Sequence, residues 1–318
     1  MPNLKDIFKI DFDNHQSYIG TKISYFDIII NNVKFFISFL VSFFWIFILS
    51  SNKNNLSHNS HDIFSDGVLG IKNNDLAFFL KNVLKNNIYN IEKDLHKIPI
   101  NERGIQHCIN SVNKRDNKKL YDSIEEKVLG IPEINDALLN FFNNKPANLV
   151  HFNIHINDEN DNFVFKHDEN DFFDDEMNFF HVDTNLNTLK IMVYLNDVNS
   201  EEEGAFEYVL GSKELFTMRE FLTRRVLRKI GAYKRDERGK KMILSLSKSL
   251  RIKNDFSDYS KDSLLGKYIR NKSKLFLSEH NVIIFDPLGI HRGGRVKKGK
   301  RTAIQLVFCT DNFSWQIR

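Results

Sequence analysis

His181 and Asp183, in the stretch HVDTNLNTLKIMVYLND, are separated by a single residue. In an extended strand successive side chains alternate faces, so this imidazole and this carboxylate point the same way. They are two of the three ligands of the facial triad that holds non-haem iron(II) and leaves positions open for a co-substrate and oxygen. A His-x-Asp triplet alone is common by chance. Its weight here comes from a later stretch, NVIIFDPLGIHRGGRVKKGKRTAIQLVF, in which His291 ends an apolar run and can complete the triad. Arg301 opens an alternating strand there, sharing a face with Ala303 and Gln305, while Ile304, Leu306 and Phe308 take the opposite, apolar face. A guanidinium fixed on a strand can grip a dicarboxylate with two parallel hydrogen bonds. Arg292 and Arg295 fall in the Gly-rich turn after His291, where exposure is expected, so Arg301 is the candidate.

Strands begin near Leu149. In LVHFNIHIN, His151, Asn153 and His155 share one face, and Val150, Phe152, Ile154 and Ile156 share the other. The polar face either lines a cavity or is a solvated sheet face. Ahead of it, NDLAFFLKNVLKNNIYNIEKDLHKI places Leu76, Phe79, Leu80, Val83, Leu84, Ile88 and Ile91 on one helical face. A second helical stretch, SIEEKVLG to NDALLNFF, is divided by Pro132. These helices are expected to brace the outside of a sheet. The acidic loop from Asp158 to Glu176, with His167 in it, reads as solvated surface or a lid.

The chain has 318 residues and is 42% hydrophobic, enough for one sizeable core and a smaller appendage. Its two cysteines, Cys108 and Cys309, lie far apart without metal spacing and read as buried free thiols of a reducing compartment. Phe35 to Leu49 contains no charge, and extended back to Ile28 the run is long enough to approach the about 20 residues of a membrane span. A membrane anchor, a helix lying in the interface, a core helix packed on the sheets and a mis-started N-terminus all fit it. The polar SSNKNNLSHNSHD that follows is a linker, and its His58 and His61 are solvated loop histidines. Residues 1–62 are therefore set apart from a domain spanning 63–318.

Lys213 to Lys274 holds 19 Lys/Arg against seven Asp/Glu, a net of +12 inside a chain of +4. Its first part, ELFTMREFLTRRVLRKIGAY, has Leu215, Met218, Leu222 and Val226 at helical spacing. A basic amphipathic helix meets anions, whether lipid headgroups or a phosphorylated substrate, unless it is only a solvated insertion. Basic and aromatic residues do not alternate as in a single-strand nucleic-acid groove, which argues against nucleic acid.

From His151 to Phe308 the chain resembles the phytanoyl-CoA dioxygenase-like family of Fe(II)/2-oxoglutarate oxygenases. The resemblance lies in His181/Asp183, the strand KIMVYLNDV, the turn EEEGAFEYVLGSKE, and the distal His291 with Arg301. It departs from the family at Lys213, where a His is usual, and at Ala303, where many such enzymes carry a hydroxyl. The resemblance implies an α+β fold: a double-stranded β-helix (jelly-roll, cupin-like) core braced by N-terminal helices, with the basic stretch as an insertion. It implies Fe(II) on His181, Asp183 and His291, with 2-oxoglutarate's far carboxylate on Arg301. The expected reaction consumes O2, decarboxylates 2-oxoglutarate to succinate and hydroxylates an unactivated C–H bond. Related halogenases lack a carboxylate at the position of Asp183, so hydroxylation is expected here. The apolar run and the basic insertion point to a small or lipid-linked anionic substrate, and to a cytoplasmic protein attached to the inner face of an anionic membrane. A second class stays open: a non-catalytic jelly-roll binding module with a structural or vestigial metal site.

Overall fold

The structure, a computed structural model, describes residues 25–51, 66–99, 105–159, 180–183, 188–215, 218–230, 241–242, 245–246, 250 and 262–310. His58, His61, His167, nearly all of the acidic loop and much of the basic insertion lie outside these residues.

A six-stranded antiparallel sheet forms the centre. Its strands are β1 (Val68–Ile71), β2 (Ile109–Val112), β3 (Asn148–Asp158), β4 (Thr188–Tyr194), β7 (Val282–Phe285) and β9 (Lys300–Cys309), in the order β1-β7-β4-β9-β3-β2. A three-stranded antiparallel sheet of β5 (Phe206–Val209), β6 (Ser273–Phe276) and β8 (His291–Gly293) faces it, in the order β6-β5-β8.

Helices α2 (Asn74–Val83), α3 (Lys85–Lys97), α4 (Lys118–Leu129) and α5 (Pro132–Phe141) cover the outer face of the larger sheet. Leu76, Leu80, Ile124 and Leu138 pack there against Phe152, Ile191, Ile284, Ile304, Leu306 and Phe308. The periodicity predicts one helix over 74–98, but the chain breaks at Leu84, so Val83 turns outward while Leu84 is fully buried. Pro132 opens α5 at its first turn, where a missing N–H costs nothing. On β3 the register shifts between Leu149 and His151, so Leu149 joins the core and Val150 is left half-buried. Alternation alone does not foresee such a bulge.

Between the sheets lies a second, smaller core. Tyr194, Phe206, Tyr208, Phe276 and Phe285 fill one end of it. Tyr194 ties the two sheets together: its hydroxyl donates to Phe276 O at 2.9 Å and accepts from Phe206 N at 2.6 Å. Burial pushes its phenol up to about 12. Gly289 is the only residue type that fits beside Tyr208, because a Cβ there would stand 1.9 Å from the phenol oxygen. The other end of this layer is polar.

The apolar run forms helix α1 (Tyr25–Ser51), which packs along α6 (Met218–Lys229) of the basic insertion. Phe35 enters a cluster with Val226, Leu227, Met242, Leu246 and Leu250. Leu222 and Val226 of α6 are buried as the helical spacing implies, but Leu215 precedes the helix and is exposed. Arg224 of the same helix is also buried, 2% exposed.

Candidate metal centre

His181, Asp183 and His291 come together at the polar end of the inner layer, with ligand atoms all within 4.8 Å of one another. Backbone pairing sets this. His181 N–H donates to His291 O and His291 N–H to His181 O, both at 2.9 Å, and Asp183 N–H donates to Pro287 O at 2.8 Å. The two segments, far apart in sequence, are thereby locked in one register.

Burial and neighbouring charge set the protonation of His291 and Asp183. His291 is 2% exposed, and burial pushes its imidazole down to about 3, so it is neutral at pH 7. Its Nδ1 lies 2.8 Å from Gly289 O and donates to it, which leaves the Nε2 lone pair facing Asp183 Oδ2 at 3.7 Å. Burial alone would raise the Asp183 carboxyl, but its neighbours together, the Lys190 ammonium foremost, outweigh burial and hold the group ionised, well below the usual range. Lys190 Nζ stands 2.6 Å from Asp183 Oδ2. That contact is a buried ion pair, with both side chains nearly inaccessible to solvent. An ionised carboxylate beside two imidazoles is the donor set that suits a divalent first-row metal.

A cavity of about 290 Å³ opens beside the triad. Asn153, His155 and Asn157 of β3, Lys190 of β4, and Arg301 and Gln305 of β9 project into it together with His181 and His291. Alternation on β9 separates these from Ile304, Leu306 and Phe308 on the helix-covered face, and the residues expected on β3's polar face divide: Asn153 and His155 line the cavity, while His151 bonds Asn153 at 2.9 Å. The His155 ring is likewise pushed down to about 3, by burial and then by Arg301, and its Nε2 has no hydrogen-bond partner among the described residues.

Arg301 is 8% exposed. It donates to the carbonyl of Gly204, to Gly294 O at 3.2 Å and to Asn157 Oδ1 at 2.9 Å. Those bonds use three of five N–H donors and hold the guanidinium against the turn at Gly204, whose φ of +80° suits glycine. Arg292 is committed elsewhere: it pairs with Glu207 at 2.6 Å and stacks 4.2 Å over the Phe180 ring. Arg295 lines the cavity rim.

Lys190 is the residue a motif reading misses. It sits within an apolar run, KIMVYL, where a lysine reads as a solvated exception. The available signal was its parity with Met192 and Tyr194, which places it on the inward face.

No family model matches the chain, and neither does any curated protein. Among solved structures, similarity is found to HygX from Streptomyces hygroscopicus with nickel and 2-oxoglutarate bound (14% identity, TM-score 0.41, 81% of this chain and 88% of HygX). It is also found to EctD from S. alaskensis with 2-oxoglutarate and 5-hydroxyectoine (10%, TM-score 0.44, 81% and 77%). A third is EvdMO1 (12%, TM-score 0.42, 79% of this chain), of which the chain spans about half, 49%. Likenesses this distant leave the chemistry to be read from this chain's own side chains.

Proposed function

We propose that the protein is an Fe(II)- and 2-oxoglutarate-dependent oxygenase, built on a double-stranded β-helix, that hydroxylates a C–H bond of a small or lipid-linked anionic substrate. One observation carries this reading: two imidazoles and an ionised carboxylate converge beside a cavity whose remaining charged groups, among the described residues, are cationic. His181, Asp183 and His291 would hold the iron. When bound, with 2-oxoglutarate and O2, the iron supplies the oxidation that places one oxygen atom on the substrate carbon and leaves succinate and carbon dioxide.

The chain's own groups do the rest. Gly289 O fixes the His291 tautomer, so that Nε2 and not Nδ1 faces the metal position. Arg301, with two N–H donors uncommitted and its plane held by Gly204, Gly294 and Asn157, is oriented to take the co-substrate's far carboxylate. Lys190 supports that assignment as a second cation, since Ala303 offers no hydroxyl. The apolar wall of Tyr194, Phe206 and Phe285 excludes water from one side. With iron(II) and a 2-oxoglutarate dianion in place, Lys190, Arg295 and Arg301 still outweigh Asp183, which favours an anionic substrate.

The test is succinate formation from 2-oxoglutarate by purified protein with Fe(II), ascorbate and oxygen, without added substrate. Slow succinate release that Asp183→Ala abolishes is expected. Metal retention with no succinate above the Asp183→Ala background would mark a binding module and end the oxygenase reading.

A further inference from the structure

Helix α1 has its polarity inside out. At about 100° per residue, Phe26, Ile29, Val33, Ile37, Leu40 and Val41 fall within one arc of roughly 120°. All six are exposed, from Val41 at 42% to Phe26 at 69%. The opposite side carries the helix's amides and hydroxyls. Asn31 and Ser42 are buried there, Asn31 Nδ2 donates to Ser245 Oγ at 2.7 Å, and Asn32 Nδ2 donates to Ser245 O at 2.8 Å. Asp27, on the flank, pairs with Lys241 at 3.0 Å. A surface helix in water does the reverse, burying its apolar stripe and wetting its polar one. The arrangement is stable where the medium outside is itself apolar, so that polar groups must find partners inward.

The inward partners seen among the described residues belong to the basic insertion: α6, Lys241, Met242, Ser245, Leu246 and Leu250. The insertion thus carries α1 on its surface, and α6, which by sequence holds five Arg/Lys against one Glu, runs along the helix. We propose that α1 and the insertion form one membrane-docking unit, with α1 lying in the plane of an anionic bilayer, its outward arc among the acyl chains and the insertion's Lys and Arg at the headgroups. Charge decides the occupant. Two copies of this face would bring two strongly positive insertions together, whereas an anionic leaflet attracts each Lys or Arg near it. An arc this wide, with no polar residue inside it from Phe26 to Val41, is also broader than the two-position seam by which paired helices specify each other.

Density-gradient flotation of the full-length protein tests this, using phosphatidylcholine vesicles with and without phosphatidylserine. Flotation with the phosphatidylserine vesicles is expected, weaker with phosphatidylcholine alone and reduced by salt. Val33→Glu/Ile37→Glu should cut the floating fraction at least tenfold with an unchanged far-ultraviolet circular dichroism spectrum, and Val83→Glu, on an exposed face of α2, should leave it unchanged. The proposal is overturned if the protein ignores both vesicle types or if Val33→Glu/Ile37→Glu floats like the parent. A dimer by light scattering that the same double variant dissolves, with no flotation, assigns the face to a second copy instead.

Discussion

The cavity between the sheets and the outer arc of α1 break the same rule in opposite directions. One buries charge and the other exposes hydrocarbon. In the cavity, Lys190, Asp183 and Arg301 are each at most 9% exposed, and each has a charged or hydrogen-bonded neighbour that fixes where it points. On α1, Asn31, Asn32 and Ser42 are turned inward, while Phe26, Ile29, Val33, Ile37, Leu40 and Val41 face outward. Oriented, mutually held charge suits a small ligand with discrete charges. A continuous apolar arc suits an extended apolar phase. The two regions therefore differ in what removing one side chain should do.

The largest effect belongs to the metal ligands. Asp183→Ala or His291→Ala should lower turnover by more than about 100-fold, since even the partners behind metal ligands are worth 10–100-fold. Steady-state succinate assays at saturating Fe(II) measure it. Lys190→Met comes next. It leaves Asp183 as an uncompensated buried charge, so the metal-free protein should lose about 3–5 kcal/mol by urea unfolding. Added metal should restore more stability to that variant than to the parent, because it no longer displaces an ammonium. An unchanged metal-free stability would break the claim that cavity charges are mutually dependent.

Arg301→Lys gives up a forked contact and should raise KM for 2-oxoglutarate about 10–100-fold, from the ~1.5–3 kcal/mol of a charged hydrogen bond. Arg292→Gln should lower Tm through stranded Glu207 and leave that KM alone. Equal KM changes in both variants would remove Arg301 from its role.

Acidification sharpens the comparison further. His155 is held neutral down to about pH 3, against 6.5 in an unfolded chain. Between those values the unfolded chain binds a proton that the folded chain refuses, so stability falls as pH falls through that window. At pH 5 the loss is about 2 kcal/mol, and His155→Phe should be spared it in urea unfolding at pH 7 and 5. The smallest effect is on α1: in solution, Ile37→Ser should change stability by less than about 0.5 kcal/mol, as for an ordinary surface site.

Much of the site was legible because strands have a period of two. Arg301 with Gln305 declares a shared face on β9 by spacing alone, whereas His181 and Asp183, expected on a strand, precede β4 and are placed by an isolated bridge to His291. The outer helices were legible from Leu76, Leu80, Ile124 and Leu138, whose spacing reports burial on one side. Three things were not. Lys190 looks like a flaw in an apolar strand until the fold brings Asp183 to within 2.6 Å of it. The bulge at Val150 depends on the pairing of β3 with β9, which no local pattern encodes. The orientation of α1 is hidden because its composition is apolar nearly all round, and only the position of Ser245, more than 200 residues away, says that Asn31 faces inward.

The most direct test of the oxygenase reading is an anaerobic titration with cobalt(II), whose visible spectrum reports its coordination. The account predicts one cobalt per chain in the parent and none bound specifically in His291→Ala. It also predicts a spectral change when 2-oxoglutarate is added, shifted to higher concentration in Arg301→Lys. A bound cobalt whose spectrum ignores 2-oxoglutarate would show a closed structural metal site and contradict the account.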